Sequence, residues 1–169
     1  MENEKPYGMG VFIDIYPYDG LGTTEKEAVT YGMKGDRLSS LCYQSTREHF
    51  AIETTTSLFR KIIKYPVFIG SKLIGKDYFQ KKLNQLVKLK EYEDSNYIGC
   101  VVWLSGGKKE IFLRKWFDET VMVPFEKYQF RVPKDYDEVL RHTYGDYMQL
   151  PPEKDRIGHH YFKAYRKDE

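Results

Sequence analysis

The strongest constraint on the fold is a stretch of apolar residues at helical spacing between residues 57 and 89. Most of them recur every three or four positions, namely Leu58, Phe59, Ile62, Ile63, Phe79, Leu83, Leu86 and Val87. This spacing is typical of amphipathic helices, with lysines on the remaining faces. Pro66 and Gly70 interrupt the pattern, so we predict two helices with a break near these residues. We interpret the lysines at positions 81, 82, 88 and 90 as a solvated face and not as a nucleic-acid site.

A strand-like segment precedes these helices. Residues 10–16 are almost entirely apolar, β-branched or aromatic, and the segment is followed by Pro17 and by the turn signal Asp19-Gly20. Such a run predicts a strand that is buried on both faces.

The second half of the chain also contains strand signals. Residues 97–103 have a strand-like composition, and residues 120–125 and 128–132 suggest a β-hairpin that turns at Glu126-Lys127. We therefore predict an α+β fold in which a short mixed sheet is packed with several helices.

Two sequence patterns mark the starts of further helices. Thr24 and Glu27 form a capping box, in which the Thr hydroxyl accepts from the N3 amide and the Glu side chain reaches back. Asp135 and Glu138 repeat this arrangement ahead of a short helix that is expected to end near Gly145.

Length and composition limit the class of protein. The 169 residues, with 41% apolar side chains, suit a single domain over residues 1–169. The net charge of +2 does not favour binding to nucleic acid. No apolar run approaches the ~18 residues of a membrane span, and no secretory signal is visible, which predicts a cytoplasmic protein. Cys42 and Cys100 are accordingly interpreted as free thiols.

Asp14 is the most informative candidate for chemistry. It stands in the centre of an otherwise apolar segment, and burying an uncompensated carboxylate costs several kcal/mol. One interpretation is a ligand of a divalent cation, because Mg²⁺ prefers carboxylate, phosphate and water oxygens. The other is a carboxylate at an exposed strand end that pairs with a lysine or with backbone amides. The residues leave both open.

Other chemical patterns are explained more simply by local structure. Residues 70–76 have the glycine and lysine spacing of a phosphate-binding loop, but Asp77 stands where a Ser or Thr is needed. Asp77 with Gln80 instead predicts a capping box for a helix that begins at Tyr78. For Asp135 and Asp137, the cap of a helix is favoured over metal binding. His159 and His160 are adjacent and therefore do not favour a shared metal ion.

Several segments together resemble a known family. Residues 10–20 and residues 144–154, followed by His159-His160, carry the clearest similarity, and residues 109–112, 116–119 and 133–137 follow the same order between them. These segments resemble the LicD family, which is similar to fukutin-type transferases. The resemblance extends over essentially the whole chain.

The resemblance implies a nucleotidyltransferase-like fold, of which this chain would form a part. It also implies the Mg²⁺-dependent transfer of phosphocholine from CDP-choline to a cell-surface glycan, of the lipopolysaccharide or teichoic acid type. By the same resemblance, Asp14 is expected to face the metal. Lys109, Arg156 and His159 are the positive or potentially positive groups of the family-like segments, and we predict that they contact phosphate.

One departure from the family pattern alters these expectations. The family has a Gly-Gly segment and a cluster of aspartates upstream of the strand that carries Asp14, whereas only 13 residues precede Asp14 here and none is Asp. The matched part therefore resembles the C-terminal two-thirds of the family, and the chain is expected to be inactive alone. The alternative is a non-catalytic interaction module that pairs with a separate N-terminal half. An uncovered sheet edge also predicts self-association.

Overall fold

The computed structural model describes residues 14–50, 57–104, 106–150, 152, 153 and 156. Four α-helices lie within these residues: α1 (Glu25–Thr46), α2 (Leu58–Ile74), α3 (Lys76–Val87) and α4 (Tyr136–Tyr144). Five short strands accompany them: β1 (Asp19–Gly22), β2 (Tyr97–Gly99), β3 (Ile111–Leu113), β4 (Thr120–Phe125) and β5 (Tyr128–Pro133). Single 3₁₀ turns at Gly107–Glu110 and Arg114–Phe117 flank β3. The predicted α+β class is confirmed.

The strands form two small sheets. In the first, β2 lies between β1 and β3, and the second is the β4–β5 hairpin. All pairs in these sheets are antiparallel, so the prediction of a mixed sheet is wrong. The connections from β2 to β3 and from β4 to β5 carry no crossover helix, which parallel neighbours require. The nucleotidyltransferase-like fold stays a prediction.

The strand predicted at residues 10–16 is wrong where the structure describes it. The first four of these residues lie outside the described part of the chain, the last three belong to no strand, and β1 begins only at Asp19. The reason is the lack of a partner: Asp19 pairs with Gly99, and the chain then turns, with the Trp103 N–H donating to the Cys100 carbonyl at 3.0 Å. A strand without a neighbour leaves its backbone groups unpaired.

Gly20, interpreted from the sequence as part of a turn, lies inside β1. A Cβ atom at this position would stand 2.4 Å from the Glu91 carbonyl oxygen and 2.5 Å from Ser95 Oγ. The glycine therefore permits close approach of the segment that follows α3. The buried Ser95 hydroxyl in turn accepts a hydrogen bond from the Gly22 N–H at 3.2 Å.

The break between the two lysine-rich helices falls at Gly75. The prediction of a break near Pro66 and Gly70 is wrong, because α2 runs through both residues. Gly75 has φ 88° and ψ 154°, a conformation that ends α2 and precedes α3, and its N–H donates to the Ser71 carbonyl at 3.0 Å. Only glycine adopts this conformation without strain.

The position of this helix boundary also explains why residues 70–76 do not form a phosphate-binding loop. Most of residues 70–76 are wound into α2 and the start of α3, and helical amides that bond to preceding carbonyls are not free to bind phosphate. The helix start predicted at Tyr78 is wrong, since α3 begins at Lys76 with Gly75 as its N-cap and has no side-chain cap. Asp77 lies in the first turn, where the helix dipole favours a carboxylate.

The capping box at the start of α1 is confirmed. The Glu27 N–H donates to Thr24 Oγ1 at 3.3 Å, and the Glu27 carboxylate accepts from the Thr23 N–H at 2.9 Å. Lys90, after α3, forms an ion pair with the same carboxylate. Glu27 therefore joins the start of α1 to the end of α3.

The other local predictions are confirmed in part. The hairpin turns at Glu126 and Lys127 as predicted, with Glu126 at φ 53°. The strand predicted over residues 97–103 ends at Gly99. The helix predicted after Asp135 forms and ends before Gly145, but the Asp135 side chain makes no capping hydrogen bond.

The core lies between α1 and the three-stranded sheet, and α3, which packs on α1, contributes Leu86 to it. Its buried side chains are Leu21, Ala28, Leu86, Val101, Leu104 and Ile111. The Tyr31 hydroxyl at its edge donates to the Leu86 carbonyl and ties α1 to α3. No described helix has both the length and the apolar character needed to cross a membrane.

Candidate functional site

A cleft of about 370 Å³ opens between the segment before β1, the turn after β2 and helix α4. We call it the aromatic cleft, because five aromatic side chains line it: Tyr16, Tyr18, Trp103, Phe112 and Tyr144. The remaining lining residues are Cys100, Glu110, Val139, Leu140 and Thr143. This size falls within the range of about 300–1,000 Å³ that is usual for small-molecule sites.

Packing against the sheet holds the inner wall of the aromatic cleft. Phe112 in β3 is buried, and Tyr18 stacks on it with ring centroids 5.3 Å apart and an interplanar angle of 28°. His142 of α4 meets the edge of Phe112 at 5.7 Å between centroids. The outer residues are open to solvent, with Tyr16 49%, Trp103 53% and Tyr144 70% exposed. A rigid inner wall thus faces accessible rings at the mouth.

Glu110 places a carboxylate in the aromatic cleft. Its Oε2 atom is buried and has no hydrogen-bond partner among the described residues. The side chain lies against Gly106, where a Cβ atom would stand 2.8 Å from Glu110 Oε1. A buried carboxylate oxygen without a partner is costly, so a water molecule or a ligand group that reached it would stabilise the carboxylate.

The electrostatics of the aromatic cleft favour positive charge. Burial raises the pKa of the Tyr18 hydroxyl, and Cys100, Glu110 and Tyr144 raise it further. Burial also raises the pKa of the Cys100 thiol; backbone hydrogen bonds with Val102 and Trp103 oppose this shift, and Asp19 and Glu110 add to it. Both groups are therefore neutral near pH 7, and Glu110 is the one residue with a formal charge among the described residues that line the cleft.

Basic residues lie immediately before Glu110 along the chain. Lys108 forms an ion pair with Glu25 at 2.7 Å, and its carbonyl oxygen lies 2.9 Å from His142 Nε2. This contact gives His142 a structural role, because it ties α4 to the turn that carries Glu110. Lys109 is exposed and forms no ion pair with another described residue, so it is available to an anionic ligand.

The site residues predicted from the sequence lie outside the aromatic cleft where the structure describes them. Asp14 is exposed and belongs to no strand, so the premise that it is buried in an apolar strand is wrong. Lys109 is exposed next to Glu110. The Arg156 N–H donates to the Glu153 carbonyl at 3.2 Å, and His159 lies outside the described residues. The roles assigned to these four residues stay predictions.

The donor set for a metal ion is incomplete in the described part of the chain. These residues contain no group of three or more His, Cys, Asp or Glu side chains placed to hold a metal ion. Asp14 by itself does not satisfy the six oxygen ligands that Mg²⁺ requires. The described residues therefore do not fit a Mg²⁺ site, and no chemical step is assigned to the ion.

Sequence reasoning missed Glu110 and the aromatic side chains around it. Glu110 occurs between Lys109 and Ile111 with no periodic pattern to mark it as buried. A signal was nevertheless present, because four of the five aromatic residues fall within the segments that carry the family resemblance, namely Tyr16, Tyr18, Phe112 and Tyr144. Both cysteines are free, as predicted.

The fold and the site thus describe an α+β protein with an aromatic cleft that contains one carboxylate. Comparison with curated proteins shows that the chain is 32% identical over 157 residues to the lipopolysaccharide cholinephosphotransferase LicD of Haemophilus influenzae. The match covers 92% of this chain, and the chain spans 57% of the length of that relative. The resemblance to the LicD family is confirmed. No family model and no solved structure matches the chain.

Proposed function

We propose that this chain takes part in the transfer of phosphocholine from a CDP-choline-type donor to a cell-surface glycan, with lipopolysaccharide as the first acceptor to test. The similarity to a lipopolysaccharide cholinephosphotransferase supports the reaction class. A teichoic acid is the other acceptor that the resemblance implies.

The observation that carries the proposal is the convergence of three family-like segments on one cleft. Residues 10–20 supply Tyr16 and Tyr18, residues 109–112 supply Glu110 and Phe112, and residues 144–154 supply Tyr144. These segments lie far apart along the chain, and a shared role in ligand binding would explain why all three resemble the family. Ligand sites are often concave, mostly apolar surfaces with a few polar groups.

In the proposed reaction, a hydroxyl of the glycan attacks the phosphorus atom of the phosphocholine group. A bond forms between that phosphorus and the acceptor oxygen, the phosphoanhydride bond breaks, and CMP leaves while the hydroxyl proton passes to solvent. Lys109, Arg156 and His159 are proposed to contact the phosphates, and Asp14 is proposed to supply one ligand to a metal ion whose other ligands are not among the described residues. Positioning and charge stabilisation provide most of the catalysis in reactions of this type.

Donor binding is the first test, since the chain is expected to be inactive alone. Calorimetric titration with CDP-choline should show saturable binding, and Lys109→Ala should weaken it about three- to tenfold, as expected for loss of a charge-assisted contact. Lys88→Ala removes another exposed lysine, at the C-cap of α3, and should leave the affinity unchanged. A folded chain that does not bind CDP-choline would overturn the proposal.

Turnover is the second test. The assay uses the protein as isolated from its native host. Choline-labelled lipopolysaccharide and CMP should appear together when this protein is supplied with donor and acceptor. Release of CMP without labelled acceptor would indicate hydrolysis and would contradict glycan transfer.

One observation favours a second candidate function, association with another polypeptide. Helix α2 exposes several large apolar side chains, including Phe59 at 71%, Ile62 at 64% and Leu73 at 84%. Exposed apolar patches of this kind mark interaction surfaces. This candidate predicts a change in solution mass that is independent of CDP-choline.

A further inference from the structure

We propose that the aromatic cleft is a binding site for a quaternary ammonium group, with Glu110 as its counter-ion. As the subsite for the donor's choline head group, this inference rests on the proposed function. Its physical basis, however, is the lining of the cleft, and choline itself provides a direct test.

The first line of support is the arrangement of the rings. Tyr16, Trp103 and Tyr144 are about half or more exposed at the mouth, so their rings remain accessible to a ligand, while Tyr18 stacks on buried Phe112. The face of an aromatic ring carries negative electrostatic potential, which attracts cations that are only weakly hydrated. Several rings around one cavity are typical of sites for quaternary ammonium groups.

The second line of support is the charge. Glu110 Oε2 is buried and lacks a hydrogen-bond partner among the described residues, and none of the described residues that line the cleft is a lysine, arginine or histidine. No positive charge in this described lining offsets the carboxylate, and a cationic ligand in the cleft would supply one. A neutral sugar could stack on the rings but would leave this charge uncompensated.

The third line of support is the chemistry of hydrogen bonding. Most of the described lining consists of rings, aliphatic side chains and a thiol, and its side-chain oxygen acceptors are one carboxylate and the Tyr and Thr hydroxyls. A quaternary ammonium group has no N–H to satisfy and presents methyl and methylene groups, which suit the apolar part of this lining.

The test compares charged and neutral ligands of the same shape. Calorimetric or NMR titrations of the full chain would use choline, tetramethylammonium and 3,3-dimethyl-1-butanol, in which a carbon atom replaces the ammonium nitrogen of choline. Choline and tetramethylammonium should bind, and the neutral alcohol should bind at least about tenfold more weakly. Equal affinity for choline and the alcohol would show a merely apolar site and overturn the inference.

Two variants separate the role of Glu110 from a general effect of charge. Glu110→Gln should weaken choline binding at least about fivefold and have little effect on the neutral alcohol. Glu138→Gln removes an exposed carboxylate from α4, outside the cleft lining, and should leave both affinities unchanged. Equal losses in the two variants would assign the effect to the long-range field and contradict the inference.

A third variant applies if Glu110→Gln does not fold. Tyr144→Ala changes a side chain that is 70% exposed, so it should preserve the fold, and it should weaken choline binding about three- to tenfold. Unchanged choline affinity in this variant would count against the site.

The outcomes also distinguish this inference from the proposed function. Choline binding that depends on Glu110, combined with failure to bind or turn over CDP-choline, would keep the site and remove the transferase. Turnover of CDP-choline with an unchanged donor KM in Glu110→Gln would keep the transferase and overturn the site.

Discussion

The position of the Glu110 carboxylate depends on the absence of a side chain at Gly106. A Cβ atom at Gly106 would stand 2.8 Å from Glu110 Oε1 and 2.9 Å from its Cδ. The backbone of Gly106 has φ −77° and ψ −4°, which alanine adopts without strain. Gly106→Ala should therefore displace the carboxylate and weaken choline binding about three- to tenfold with little loss of stability. Calorimetry and a urea titration measure the two effects.

Gly107→Ala provides the opposite control. A Cβ atom there would meet no atom within 4 Å, but φ is 65°, so alanine should lower the free energy of unfolding by about 1 kcal/mol. Choline affinity should be unchanged. If Gly107→Ala weakens binding as much as Gly106→Ala does, the contact with Glu110 is not the cause.

The two cysteines should differ in reactivity. Cys100 is 4% exposed, and burial raises the pKa of its thiol, whereas Cys42 is only partly buried. Because the thiolate is the reactive form, Cys42 should react with a thiol reagent at pH 8 at least about tenfold faster than Cys100. Cys42→Ser and Cys100→Ser allow each rate to be measured separately, and the rates should become similar in urea. Equally fast reaction in the folded state would contradict the burial of Cys100.

At the scale of elements, the boundary between α2 and α3 depends on a single glycine. Gly75 has φ 88° and ψ 154°, so Gly75→Ala should lower the free energy of unfolding by about 1–3 kcal/mol. Gly70 lies inside α2 with no atom within 4 Å of its ideal Cβ, so Gly70→Ala should raise it by about 0.5–1 kcal/mol. Urea denaturation measures both changes. If Gly75→Ala stabilised the chain and Gly70→Ala destabilised it, the break would lie at Gly70 instead.

The start of α1 should respond to acid through Glu27. Hydrogen bonds from Lys90 and from the Thr23 N–H lower the Glu27 pKa from 4.5 to about 2. Because the folded-state pKa is the lower one, the stabilisation is complete above pH 4.5 and is lost as the pH falls toward 2. Glu27→Gln should therefore lower the melting temperature at pH 7 and have little effect near pH 2. The exposed Glu48→Gln is the control, and a difference that does not vary with pH would contradict the assignment.

Elements that depend on neighbouring residues along the chain could be predicted from the sequence. The capping box of Thr24 and Glu27 and the turn of the β4–β5 hairpin use contacts within four residues. The strand at residues 10–16 could not be located in this way, because the pairing of Asp19 depends on the point at which β2 turns. Composition reports that a segment suits a strand, whereas the partner decides where the strand lies.

The same contrast between local and long-range contacts applies to the candidate site. The apolar neighbours of Asp14 along the chain predict that it is buried, but it is exposed. The buried oxygen belongs to Glu110, which lines a cleft formed mainly by residues distant in sequence and was therefore not recognisable from its own segment. The family resemblance identified the segments that form the cleft, although it did not identify the residues within them that meet.

At the scale of the whole molecule, the apolar surface of α2 predicts self-association. Phe59, Ile62, Ile69 and Leu73 follow one another at intervals of three, seven and four residues, which places them on one helix face, and all are exposed. Light scattering should give a solution mass above that of the monomer, and Ile62→Lys combined with Leu73→Lys should reduce it to the monomer. Leu89→Lys changes an exposed apolar residue outside α2 and should have no effect. A monomeric wild-type chain would contradict this prediction.

The central claim, that the aromatic cleft receives the choline end of the donor, has a direct spectroscopic test. The chain has two tryptophans: Trp103 lines the cleft, and Trp116 packs against His142 outside the lining, with ring centroids 5.6 Å apart. In NMR spectra of the ¹⁵N-labelled chain, titration with CDP-choline should shift the indole N–H signal of Trp103 much more than that of Trp116, and CMP should not reproduce the shift. A larger shift at Trp116, or equal shifts with CMP and CDP-choline, would contradict the account.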